Sequence, residues 1–218
     1  SDYLVHQLDP MIAVALGGIG LVVALILQFS VRRYIAWVYW FTAIMVAIFG
    51  TMAADVIHVG LGIPYLISTI FFAAALAVIF IIWYISEKTL SVHSIFTRRR
   101  ELFYWATVMA TFALGTAAGD MTASTLGLGY FSSGILFAIV ITIPVLGYFL
   151  FRLNAILAFW FAYIVTRPLG ASFADWAGKT RGEGGIGIGD AQISLLLVLL
   201  IIGFVTYLTI THKDSKSN

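Results

Sequence analysis

The chain has 218 residues, of which 61% are hydrophobic and 10% charged, with a mean hydropathy of +1.03. Soluble domains carry about 25% charged residues, so this is the composition of one integral membrane domain over 1–218, with the lipid bilayer as its first partner. A formal charge of +2 is too small to suggest a nucleic-acid partner, and the absence of cysteine excludes disulfides and thiolate-held metals.

In chain order, the first residues are polar and lack the basic start of a cleavable signal peptide. They hold Asp2, His6, Leu8 and Asp9, ahead of an apolar run near 10–31 that ends at Arg32-Arg33. The run near 35–59 begins with Tyr39-Trp40 and closes on Gly50-Thr-Met-Ala-Ala-Asp55, with Gly62 beyond it, and the run at 63–86 returns. A polar segment at 87–100 follows. The pattern then recurs at 101–125, with Tyr104-Trp105, Gly115-Thr-Ala-Ala-Gly-Asp120 and Gly127, and returns at 130–151 through Pro144. It recurs again at 155–177, with Phe159-Trp160, Gly170-Ala-Ser-Phe-Ala-Asp175 and Gly182, and returns at 190–211.

Each tryptophan stands fifteen residues before its aspartate, and Asp2, Asp55, Asp120 and Asp175 are 53, 65 and 55 residues apart. Self-similarity at such a period marks a repeat architecture. The fold class expected is all-α: a polytopic helix bundle with seven visible helices, eight in the intact protein, and four parallel two-helix repeats. The repeats fall at 1–33 (a truncated copy), 34–100, 101–152 and 153–212. Each run is long enough to span hydrocarbon, and lipid forces it to be helical because its backbone groups must be satisfied internally. Two helices per repeat return the chain to its starting side, so the copies are related by an axis along the membrane normal.

Arg32, Arg33, Lys88, Arg98, Arg99, Arg100, Arg152, Lys213 and Lys216 fall on one side, against Lys179 and Arg181 on the other. The positive-inside rule makes the first side cytoplasmic. That places loop 87–100 in the cytoplasm and the protein in the inner membrane. The aromatic pairs then read as interfacial anchors. The aspartates lie about 22 Å away, at 1.5 Å per residue, near the outer edge.

These features resemble a bacterial family described as a four-fold repeat of unknown function, whose members are uncharacterised membrane proteins. Trp early in a helix, Gly-x4-Asp near its end, Glu87-Lys-Thr-Leu-Ser-Val-His93, Arg98-Arg-Arg-Glu101 and Thr166-Arg-Pro-Leu-Gly-Ala171 carry the resemblance. It implies the fold over essentially the whole chain and no particular activity.

Function therefore rests on residue chemistry. Asp2, Asp55, Asp120 and Asp175 are ionisable groups in or beside membrane segments, where charge is costly and marks pathways or internal pairs. Gly50 and Ala54, Gly115 and Gly119, and Gly170 and Ala174 are each four apart, and such small-residue faces let backbones approach closely. Thr51, Thr116 and Ala171 lie one turn below the aspartates. Arg167 stands before Pro168 well inside a helix, where a kink and an ion pair with Asp55 or Asp120 are expected. Pro144 is a second kink candidate. His58 and His6 follow Asp55 and Asp2 within one turn, so His58, Asp55 and Asp120 form a weak metal-ligand set.

The last run has no lysine, which excludes a retinal Schiff base, and no helix offers a haem-ligating histidine pair. Walker and nucleophile-elbow motifs are absent. No cofactor and no enzymatic activity are expected. The leading reading is a small cation transporter or channel, for a divalent metal or protons, using the repeat aspartates. The competing one is a scaffold or accessory subunit in which the motif only packs helices. A homo-oligomer is compatible with both.

Overall fold

The computed structural model describes residues 10–31 and 33–211. Asp2, His6, Asp9, Arg32, Lys213 and Lys216 lie outside the described residues.

Every described element is helical. α1 spans Pro10–Ser30, α2 Ala36–Asp55, α3 Tyr65–Glu87 and α4 Arg98–Asp120. α5 (Gly129–Val140) and α6 (Thr142–Phe151) form one span, followed by α7 (Ala155–Gly178) and α8 (Asp190–Thr211). Seven of the resulting segments are long and apolar enough to cross a membrane. The spans expected from sequence are all present.

The motif helices are α2, α4 and α7, and α4 is the hub. Half of its membrane window is buried, against none of that of α8. α4 packs against α2 and α7, so consecutive motif helices are neighbours. The return helices follow one rule. Each packs chiefly on the motif helix of the following repeat: α1 on α2, α3 on α4, and α5 with α6 on α7. α8 has no such successor and touches α7 and α2 only lightly.

Local chemistry sets the helix ends. The Thr97 hydroxyl accepts the Arg100 backbone N–H at 3.3 Å, starting α4, and Asn154 Oδ1 accepts those of Ile156 and Leu157 at 2.9 and 3.3 Å, starting α7. Such caps satisfy donors left over in the first turn. The arginine triplet therefore forms the first turn of α4, where the sequence reading had placed it in a loop. Arg100 Nε donates to Glu87 Oε2 at 2.8 Å and Arg99 lies 3.5 Å from the same carboxylate, tying the end of α3 to the start of α4.

α2 and α4 end alike. A π-helical turn follows each aspartate, Val56–Gly60 and Met121–Thr125. Gly62 and Gly127 then take φ of +66° and +67°, the left-handed geometry that glycine adopts without steric cost. α7 instead ends in a 3-10 turn, Arg181–Glu183, with Gly184 in the left-handed region.

One expectation needs correction. The motif tryptophans are not all interfacial anchors. Trp105 and Trp160 are 3% and 4% exposed and join Trp83 and Tyr104 in the main core, while Trp40 is 36% exposed. The indole of Trp160 donates to the Leu90 carbonyl at 2.8 Å, so segment 88–97 is drawn over the aromatic cluster. The two prolines also differ. The span holding Pro144 breaks at Ile141, as a missing donor and a clash with the preceding turn dictate. α7 runs on through Pro168 without a break.

Candidate functional site

On each motif helix the aspartate heads a stripe of residues four apart, which share one helix face. On α2 the stripe is Asp55, Thr51, Ala47, Ala43 and Tyr39, and on α4 it is Asp120, Thr116, Phe112, Val108 and Tyr104. On α7 it is Asp175, Ala171, Arg167, Tyr163 and Phe159. The stripes meet at their aspartate ends, where they line one cavity, and again at Arg167 with Phe112 and at Tyr39 with Tyr104.

Glycines set how closely they meet. A Cβ on Gly50 would stand 2.8 Å from Phe112 Cβ and 3.0 Å from the Met109 carbonyl. One on Gly115 would run into Arg167 Cβ and lie 3.1 Å from the nitrogen of Pro168. Phe112 and Arg167 hold equivalent places, each eight residues before its aspartate, so the same contact is made twice. It brings the helices together in register. Arg167 and Pro168 are seated in the space that Gly115 leaves.

At the aspartate end the helices diverge around a cavity of about 220 Å³. α2 contributes Thr51 and Asp55, α4 contributes Thr116 and Asp120, and α7 contributes Ala171, Ala174 and Asp175. α8 closes it with Asp190, Ile193, Ser194 and Leu197. All three repeat aspartates are half-buried. Thr116 Oγ1 donates to Thr51 Oγ1 at 3.2 Å across the floor, so equivalent hydroxyls of two repeats touch. At the mouth Lys179 Nζ lies 3.7 Å from Asp190 Oδ2. Glu183 is committed to its own turn, accepting the N–H and hydroxyl of Thr180 at 3.1 and 2.6 Å.

One further turn down the stripe, the Arg167 guanidinium carbon lies 3.9 Å from the Phe112 ring centroid and 4.4 Å from that of Tyr163. Desolvated cation–π contacts of this kind contribute about 2 kcal/mol each. Arg167 Nε is buried without a hydrogen-bond partner. The Arg167 guanidinium is thus set against two ring faces. Beyond it, the hydroxyls of Tyr39 and Tyr104 meet at 2.6 Å, and the buried tryptophans close the axis. From the carboxylate end inward the lining thus changes from acidic to hydroxyl, then to a caged cation, then to aromatic.

His58 is drawn elsewhere. Its Nδ1 donates to the Ile63 carbonyl at 2.6 Å and its ring stacks on Tyr65 with centroids 3.3 Å apart, so it closes the turn after Asp55. Among the described residues no group of three or more His, Asp or Glu is placed to hold a metal ion. Ser194 was missed by sequence reasoning, although it stands four residues after Asp190 on the same face of α8.

The fold and the axial cavity define a membrane-spanning helical repeat protein. The chain belongs to the family described as Repeat of Unknown Function (DUF347), whose profile matches residues 38–89, 103–154 and 158–214. No curated protein and no solved structure matches the chain.

Proposed function

We propose that the protein passes a cation across the membrane along the axis of its motif helices, with Asp55, Asp120 and Asp175 as the entry site. The carrying observation is that three repeats each deliver an aspartate to one cavity. Carboxylates gathered at the mouth of a low-dielectric path raise the local concentration of cations, and rings of Asp or Glu are a recurrent device in cation pores. Arg167 stands inward of them as a fixed positive charge. It opposes a free-running cation and gives the path a point at which passage is controlled. The carboxylate and hydroxyl lining suits a proton or a cation that keeps much of its water.

The test is flux into proteoliposomes, with a pH-sensitive dye in one arm and a monovalent and a divalent ion in the others. Asp120→Asn is expected to reduce proton flux by about tenfold or more, as loss of an intramembrane relay carboxylate would, while the protein still purifies as a monodisperse species. Flux unchanged in the Asp55→Asn/Asp120→Asn double variant sinks the proposal.

The glycine contacts favour a second reading, a scaffold in which the motif is a packing device. It expects no flux in any variant and loss of assembly in Gly115→Leu. On either reading the arginine-bearing end is cytoplasmic and the membrane is the bacterial inner one, following the bias of basic residues. Because the chain has no cysteine, Ser94→Cys supplies a unique thiol. An impermeant maleimide is expected to leave it unlabelled in intact cells and label it in inverted vesicles.

A further inference from the structure

The end of the bundle that carries the arginine triplet holds a second cavity, away from the aspartates. It is a groove of about 380 Å³ between the last turns of α1 and the start of α4, lined by Val22, Leu25, Ile26, Phe29, Ser30 and Arg98. Leu25 and Phe29 are half-buried and pack on the main core, so they form its floor, while Val22 and Ile26 are exposed along its rim. The groove exists because α1 packs chiefly on α2. Its tie to α4 is a single side-chain bond, Gln28 Nε2 donating to Glu101 Oε1 at 2.7 Å.

The lining is ordered from polar to apolar. From Ser30 back to Val22 the α1 wall runs roughly 12 Å, at 1.5 Å per residue, and every lining residue on it before Ser30 is hydrophobic. Arg98 stands at the polar end, in the first turn of α4. Its charge is not matched within the chain. Glu87 is taken by Arg99 and Arg100, and Glu101 accepts from Gln28. Among the described residues no carboxylate lies within ion-pair distance of Arg98. Ser30 Oγ donates to the Ile26 carbonyl at 2.6 Å, which leaves its oxygen to accept from a hydroxyl.

We propose that this groove binds one anionic phospholipid, with an acyl chain laid along Leu25 and Phe29 and the phosphate on the Arg98 guanidinium. The trough itself suits the acyl chain of any membrane lipid. The guanidinium at its mouth adds the preference, because charge-assisted bonds from arginine to phosphate are strong and basic pockets between membrane helices select anionic headgroups. A zwitterionic headgroup brings its own cation to the same place and loses that gain. Arg33, exposed just past the end of α1, reinforces the sign. The inference stands on this groove alone and does not depend on flux through the aspartate site.

The test is a lipid titration of the full chain in mild detergent, read by native mass spectrometry, with phosphatidylglycerol and phosphatidylcholine of identical acyl chains. Phosphatidylglycerol is expected to bind about fivefold more tightly, the factor equivalent to about 1 kcal/mol for one basic residue at an anionic surface. Arg98→Gln is expected to abolish that preference and Arg98→Lys to keep it. Arg152→Gln, at an exposed arginine outside the groove, is expected to leave it unchanged. Ile26→Trp, which fills the trough from its rim, is expected to weaken phosphatidylglycerol binding with Arg98 intact. Equal affinity for the two lipids overturns the proposal, as does a preference that survives Arg98→Gln. Equal loss in Arg152→Gln also overturns it, since that marks a general attraction to the basic surface. Displacement of the lipid by soluble glycerol phosphate does the same, because the site would then serve a free phosphate.

Discussion

At the scale of single residues, two glycines of the same motif have opposite tolerances. Gly115 has the next helix directly against its Cα, and Gly170 has open space. Gly115→Ala is expected to lower stability by about 1–3 kcal/mol, the usual range for overpacking. Gly170→Ala is expected to be neutral or slightly stabilising, because alanine is the better helix former by about 1 kcal/mol. Thermal unfolding of the two variants in one detergent checks both. The tryptophans give a parallel contrast. Trp160→Phe removes a buried indole and strands the Leu90 carbonyl, at a cost of about 1–3 kcal/mol for an unsatisfied buried group. Trp40→Phe, at a half-exposed position, is expected to stay within about 0.5 kcal/mol of the parent. The motif spacing does not separate these residues. An aromatic ring early in a membrane helix suits the lipid interface and the bundle core equally well, and only the neighbouring helices decide between them. Arg167 was legible as an anomaly for its position. The rings that hold it were not, because Phe112 belongs to another repeat and nothing in the local sequence names it as a partner.

At the scale of elements, helix existence and order were readable because lipid leaves a spanning chain no other regular structure. Ends and breaks depended on contacts across the fold. Pro144 and Pro168 are the same residue in two helices, and one helix breaks while the other continues, packed at Arg167 and Pro168 against Gly115. The strap between α3 and α4 has similar dependence. It is held at one end by the Glu87 carboxylate against Arg99 and Arg100, with Arg100 also donating to the Ser94 carbonyl at 2.9 Å, and in the middle by the indole of Trp160. The Glu87 side chain is 13% exposed, so the pair is better shielded than an ordinary surface ion pair. Glu87→Gln is expected to loosen the strap and to speed tryptic cleavage at Arg98–Arg100 by about tenfold, the factor that corresponds to about 1.4 kcal/mol of local opening. Cleavage as slow as in the parent protein would mean that the indole contact alone holds it.

At the scale of the whole molecule, the candidate site was half legible. The repeat period, the aspartates and the small-residue faces together indicated that the carboxylates point inward, and Asp55, Asp120 and Asp175 do share one cavity. The wall supplied by α8 was hidden, since Ser194 and Ile193 belong to a return helix whose position the motif does not dictate. The metal set was misleading in its histidine. His58 follows Asp55 at helical spacing, yet the π turn after the aspartate sends its ring to Ile63 and Tyr65. His58→Ala is accordingly expected to destabilise the turn and leave divalent-ion binding, measured by calorimetry, unchanged. The rule that each return helix lies on the motif helix of the next repeat also carries a temporal meaning. A chain emerging from the translocon inserts hairpin by hairpin, and under this rule the newest hairpin cannot complete its own packing. α3 waits for α4, and the α5–α6 span waits for α7. For a chain inserted in that order, each arriving motif helix would cover the return helix before it. A nascent chain halted between α3 and α4 would leave its last helix open to whatever quality-control protease patrols the bilayer.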